Sequence, residues 1–145
     1  VIDPHLTADI DLAEGCKLMA YKDTEGLWTI GRGHLLGNEC DWSGHSITQF
    51  AADAQCGIDI QSAQSFASLL PEWLKLDTQC RKNALTELCF NMRGKWRTFV
   101  NTRAAMLIQN WQGVHDGLLD SLWASQVGWT RSSRIANYLL TGAYP

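Results

Sequence analysis

EGCKLMAYKDTEGLWTIGRGHLL, running from Glu14 to Leu36, decides the reading of this chain. It begins where a helical pattern ends. Leu18 and Ala20 lead to the turn residues Asp23-Thr24-Glu25-Gly26, and Leu27-Trp28-Thr29-Ile30 follows as a short apolar run rich in β-branched and aromatic side chains. Turn residues between two such runs predict a β-hairpin. Gly31 and Gly33 bracket Arg32 and predict a bend or a close backbone approach. Eight residues separate Glu14 from Asp23 and five separate Asp23 from Thr29. Taken singly, each has a structural explanation: a helix-end glutamate, a turn aspartate and a strand threonine. Together, two carboxylates held by a hairpin with a hydroxyl close by are what glycoside cleavage requires. A general acid must be protonated when it meets the leaving oxygen, a state that partial burial favours.

Outward from this stretch the pattern is helical. Thr7, before ADIDLAEGC, reads as the cap of a short helix with acids in its first turn, ending near Gly15. The segment from Gly37 to Ser46 reads as a loop. Ile47-Thr48 is a helix start, and the helix runs toward Pro71 with Gly57 as a weak point. Another helix starts near Asp77-Thr78 and carries Leu85, Leu88, Cys89 and Met92 at helical spacing, flanked by Ala84 and Phe90. Such a helix is apolar around much of its circumference and belongs in the middle of a bundle. Helices are further predicted at 101–110, 112–122 and 132–140, the last stopped by Gly142.

The chain of 145 residues is 46% apolar and 19% charged, with net charge −3. That balance fits one compact globular protein and does not advertise nucleic-acid binding. No apolar run is long enough to span a membrane, so no stable membrane insertion is expected. The N-terminal stretch lacks the basic and apolar regions of a signal peptide. Five scattered cysteines without a CxxC pair point to free thiols in a reducing compartment, with a disulfide such as Cys40 with Cys56 as the alternative. His and Cys show no ligand spacing, so no zinc site is expected. Trp28 and Trp42 lie near the hairpin and could stack on sugar faces or simply pack. Trp73, Trp96, Trp111, Trp123 and Trp129 read as packing residues of the helical part.

The segment YKDTEGLWTIGRGHLL, from Tyr21 to Leu36, closely resembles the matching segment of the T-even phage lysozymes, and Glu14, Asp23 and Thr29 fall at that family's catalytic spacing. Ile47-Thr48 followed by Asp59 resembles the family's long inter-lobe helix. RKNALTELCFNM, from Arg81 to Met92, resembles its central helix. FVNTRAAMLIQNWQGV, from Phe99 to Val114, resembles the next helix pair, and RSSRIANYLLTGAYP, from Arg131, the C-terminal helix.

The resemblance implies an α+β, lysozyme-like fold: a small hairpin-containing lobe at about 15–47, a long helix at about 48–68, and a larger all-helical lobe at 69–145 together with an N-terminal helix at 1–14. It implies a muramidase that cuts the β-1,4 bond from N-acetylmuramic acid to N-acetylglucosamine in bacterial peptidoglycan, acting as a monomer. Such an enzyme should need no metal and no organic cofactor. Glu14 would protonate the leaving oxygen. Asp23, with Thr29, would hold and activate a water on the opposite face of the sugar. That inverting arrangement needs carboxyl groups about 6.5–9.5 Å apart, against about 5–5.5 Å for a retaining one.

By the same route, Arg131 and Arg134 resemble an arginine pair near the catalytic glutamate, and either could hold its carboxyl. His34 and Asp59 match a structural pair that joins the hairpin to the long helix. Leu35, Phe90 and Asn91 match cleft-lining positions. The resemblance also implies synthesis in the host cytoplasm and release to the wall through a separate pore-forming protein. Departures from the family are the short loop at 37–46, the acidic net charge and Cys16 beside the acid. The rivals are a muramidase-like binding or scaffolding module with weak or no activity, and an enzyme acting on a related polymer such as chitin.

Overall fold

A computed structural model describes all residues, 1–145. The fold is α+β. Seven helices, α1 (Pro4–Glu14), α2 (Gln49–Ser68), α3 (Gln79–Met92), α4 (Val100–Leu107), α5 (Trp111–Leu119), α6 (Leu122–Val127) and α7 (Trp129–Thr141), accompany one antiparallel sheet in the order β1 (Lys17–Lys22), β2 (Trp28–Gly31) and β3 (His34–Leu35). The chain forms two compact units, Val1–Ser62 and Ala63–Pro145, and the division falls within α2.

In the first unit, α1 starts earlier than Thr7. Asp3 is its cap, accepting a hydrogen bond from the His5 amide, and Pro4 occupies the first turn. Aspartate followed by proline is the stronger start signal, because Pro has no amide to leave unpaired and its φ already suits a helix. Asp9 and Asp11 therefore sit in the body of the helix, not in its first turn. Gly15 ends α1 at φ 61°, its N–H bonding to Asp11 O.

The hairpin forms over the Asp23–Gly26 turn. The central residues of β1 leave β2, and the register shifts between Lys17 and Tyr21. There β1 pairs instead with the loop that precedes α2: Ala20 N–H donates to His45 O, Ile47 N–H to Leu18 O, and Met19 bridges Ser46. Thr48 then caps α2, its hydroxyl accepting from the Ala51 amide. The helix runs unbroken through Gly57. Leu6 and Ile10 of α1, Ile30 of β2, and Ala52, Cys56 and Ile60 of α2 form the core of this unit. On both helices these residues recur every four positions, which lays them along one face.

In the second unit α3 is central: eleven of its fourteen residues are buried. Thr78 caps it, accepting from the Arg81 amide. Its buried polar side chains are all engaged. Arg81 donates to Leu139 O and Leu140 O, closing the last turn of α7, and pairs with Asp77. Gly142 ends α7 in the left-handed region at φ 70°, where a Cβ would come within 2.8 Å of Arg81 Nη1. The stretch expected as one helix over 112–122 is broken, because the Ser121 hydroxyl caps a new helix, α6. Trp96 and Trp123 are buried. Trp129 is a correction: it stands at the first position of α7, 73% exposed, and packs nothing away from water.

All five cysteines are free thiols, so a Cys40–Cys56 disulfide is not formed. Burial pushes the Cys56 thiol up to about 11 and the Cys89 thiol up to about 12, which leaves both as neutral packing groups. No helix is long and apolar enough to cross a membrane.

Candidate active site

The three residues singled out by spacing all belong to the first unit. Glu14 is the last residue of α1, half-buried, and its carboxylate lies over the backbone of the β2–β3 turn. A Cβ built on Gly33 would stand 2.7 Å from Glu14 Oε2 and 3.1 Å from its carboxyl carbon. Gly33 has φ 75°, a backbone conformation that favours glycine, and the carboxylate occupies the space a Cβ would take.

Asp23 is held by the turn it opens. Its Oδ1 accepts from the amides of Glu25 and Leu27, both at 2.9 Å. Both bonds fall on one oxygen, so Oδ2 lies outside the turn's own hydrogen bonding. Thr29 is buried in β2, and its hydroxyl donates to Leu27 O at 3.0 Å. Asp23 and Thr29 thus anchor to the N–H and C=O of a single residue, Leu27. With its proton committed to Leu27 O, the Thr29 oxygen offers only lone pairs to anything else.

Tyr21 was not singled out by sequence. It lies opposite Thr29 in the sheet, half-buried, with the Lys17 ammonium 4.2 Å from its ring centre. Its hydroxyl ionises above the ordinary phenol range, because of burial first and then the negative charges of Glu14 and Asp23. One phenol therefore feels both carboxylates. The usable signal was its place two residues before Asp23, on a strand that alternates faces.

Other expected residues are distributed as follows. Leu35 pairs with Thr29 across β2 and β3. Trp28 is half-buried, with the Lys22 ammonium 5.4 Å from its ring centre. Trp42 packs edge-on against His45, and its indole N–H is buried without a hydrogen-bond partner. His34 Nδ1 lies 2.8 Å from Asp59 Oδ2, tying β3 to α2, while Gln55 donates to the other Asp59 oxygen.

In the second unit, Phe90 is buried in α3, and Asn91 Oδ1 accepts from the Trp123 indole at 2.8 Å. Arg131 and Arg134 converge on Glu87, a carboxylate 1% exposed. Arg131 Nε is 3.1 Å from Oε1, and Arg134 donates to both oxygens at 2.8 Å. Glu87 was not foreseen as their partner. No three His, Cys, Asp or Glu side chains converge to hold a metal.

The phage lysozyme family pattern matches residues 11–129, which spans all three candidate catalytic positions. The chain belongs to the phage lysozyme family. A similar protein is the pre-baseplate central spike protein Gp5 of Enterobacteria phage T4, 31% identical over 89% of this chain. The chain spans 26% of that relative's length. Membership of the phage lysozyme family agrees with the α+β fold.

Gly33→Ala tests how the chain seats the Glu14 carboxylate. The new methyl meets the mobile end of Glu14, which can swing away, so stability falls only by the backbone strain, roughly 1–2 kcal/mol. Under the general-acid role proposed below for Glu14, wall lysis is expected to fall much further, because the carboxylate is displaced. Wall-lysis assays run beside thermal melts check the two effects separately.

Proposed function

We propose that this chain is an inverting muramidase. Glu14 protonates the glycosidic oxygen between N-acetylmuramic acid and N-acetylglucosamine. Asp23 and Thr29 both accept hydrogen bonds from one water, which turns a lone pair of that water toward the anomeric carbon. Asp23 Oδ2 takes the proton as the water attacks, and the leaving oxygen departs with the proton from Glu14. Inversion requires room for that water, so the two carboxyl groups are expected about 6.5–9.5 Å apart. The observation that carries this reading is the joint anchoring of Asp23 and Thr29 to Leu27 in the unit that seats Glu14 on Gly33. Leu35 and Trp28 are proposed to contact the glycan from the hairpin.

A second reading is supported by the relative that is a baseplate spike protein. The chain would then be a peptidoglycan-binding module of a longer structural protein, with weak or no turnover. Release into the wall from the host cytoplasm belongs to the first reading only.

Incubation of purified protein with purified peptidoglycan separates the two. New reducing ends that carry N-acetylmuramic acid are expected. Sedimentation with the wall but no new reducing sugar would favour the module, and faster cleavage of chitin oligomers would move the substrate assignment.

A further inference from the structure

Arg32 occupies the tip of the β2–β3 turn between two glycines of positive φ, Gly31 and Gly33. Its side chain is only 15% exposed and reaches two helices. Nε lies 2.8 Å from Asp11 Oδ1 on α1, and Nη1 bonds Asp53 Oδ1 on α2. Asp53 is held in turn by Gln49, whose amide donates to the same oxygen at 2.9 Å. Asp11 stands one helical turn before Glu14, and Asp11 O accepts from the Gly15 amide that closes that turn. The residue after Arg32 is Gly33, over which the Glu14 carboxylate lies. The guanidinium therefore ties the last turn of α1 to the same turn of backbone that seats Glu14. A planar fork with several donors suits this task, since one side chain must satisfy two carboxylates in different directions.

We propose that Arg32 is a positioning residue for Glu14, clamping α1 and α2 onto the Gly31–Gly33 turn so that the Glu14 carboxyl stays over Gly33. Its bearing on turnover rests on the assignment of Glu14 as the general acid; its bearing on the place of the carboxyl does not. Arg32 touches no reacting atom. Its effect is to narrow the positions available to the acid, and small misplacement of a catalytic group is costly to rate.

The test compares wild type with Arg32→Ala, Arg32→Lys and Asp53→Asn. Nuclear Overhauser contacts between Glu14 Hγ and Gly33 Hα report the seat, and exchange of the Gly15 amide reports the turn. In Arg32→Ala the Overhauser contact weakens or vanishes and Gly15 exchanges faster. On peptidoglycan, kcat falls on the order of 10²-fold with KM unchanged. Arg32→Lys reaches one carboxylate at a time and recovers kcat only in part. Asp53→Asn, at an exposed position with the Asp11 arm intact, gives a weaker effect of the same sign and serves if Arg32→Ala does not fold. Unchanged Glu14–Gly33 contacts and Gly15 exchange in Arg32→Ala and in Asp53→Asn would overturn the proposal, whatever the activity. A wild type that cuts no glycan, with the contact still lost in Arg32→Ala, would remove the muramidase reading and leave the clamp standing.

Discussion

Glu14→Gln lowers kcat on peptidoglycan by about 10²–10⁴-fold, the range supplied by a positioned general acid. Glutamine keeps the length and planarity of the side chain, so it can still lie over Gly33. What it lacks is a proton that can be given to the glycosidic oxygen. Glycan binding and KM should persist, because the lost interaction exists only in the transition state. Asp23→Asn gives a parallel loss on the other side of the bond. Its carbonyl oxygen can still accept from the Glu25 and Leu27 amides, so the hairpin holds while the base disappears. Single-turnover assays with circular dichroism on each variant check both statements. Full activity in Glu14→Gln would remove the acid from its assigned role.

Glu72→Ala is expected to cost about 3 kcal/mol of stability, near the low end for breaking a buried ion pair. Glu72 is 0% exposed and lies in a 3₁₀ turn, Pro71–Lys75. Its Oε1 accepts from the Trp96 indole at 2.9 Å and from Arg103 Nε at 2.6 Å, and Arg103 Nη2 bonds the other oxygen. Truncation leaves a fully buried indole N–H without a partner and a cation without its anion. Arg103 is 23% exposed and can turn partly to water, which keeps the cost from the upper end. For a chain of this size the melting temperature should drop by roughly 6–12 °C.

The pH dependence follows from the direction of the Glu72 shift. Burial works to raise its pKa, but the Arg103 and Trp96 hydrogen bonds outweigh it, and the net direction is down. A carboxyl whose folded pKa is lowered adds stability that is present above the unfolded value, about 4.3. That stability is lost as pH falls through the lowered folded value. The advantage of wild type over Glu72→Gln should therefore shrink on acidification below the ordinary glutamate range. Chemical denaturation at a series of pH values measures it, and a constant difference would contradict the assignment.

The hairpin, the Thr48 and Thr78 caps, the buried α3 and the Gly142 stop were legible because each rests on chemistry within a few residues. The start of α1 was misplaced because Thr7 is an adequate cap in isolation, whereas Asp3, followed by Pro4, is a better one four residues earlier. β3 is only two residues long and exists because His34 and Leu35 pair with Ile30 and Thr29; alone it has no periodicity to read.

At the site, Glu14, Asp23 and Thr29 were visible through their spacing and their resemblance to a known segment. Long-range polar partners, beside these residues and elsewhere in the chain, were not. Arg32 finds Asp53 twenty-one residues away, Glu72 finds Arg103 at thirty-one and Glu87 finds Arg134 at forty-seven. Glu72 follows Pro71 with no local sign of burial, yet the fold encloses it against the Trp96 indole and Arg103. Local pattern tells which residues are polar, and tertiary packing decides which of them are enclosed.

The most direct measurement is proton NMR of the anomeric signals during the first minutes of peptidoglycan digestion, before mutarotation. An inverting cut of a β bond, by a water held between Asp23 and Thr29, yields the α anomer of N-acetylmuramic acid first. The β anomer appearing first would contradict the role given to Asp23, and no new anomeric signal at all would contradict the enzyme.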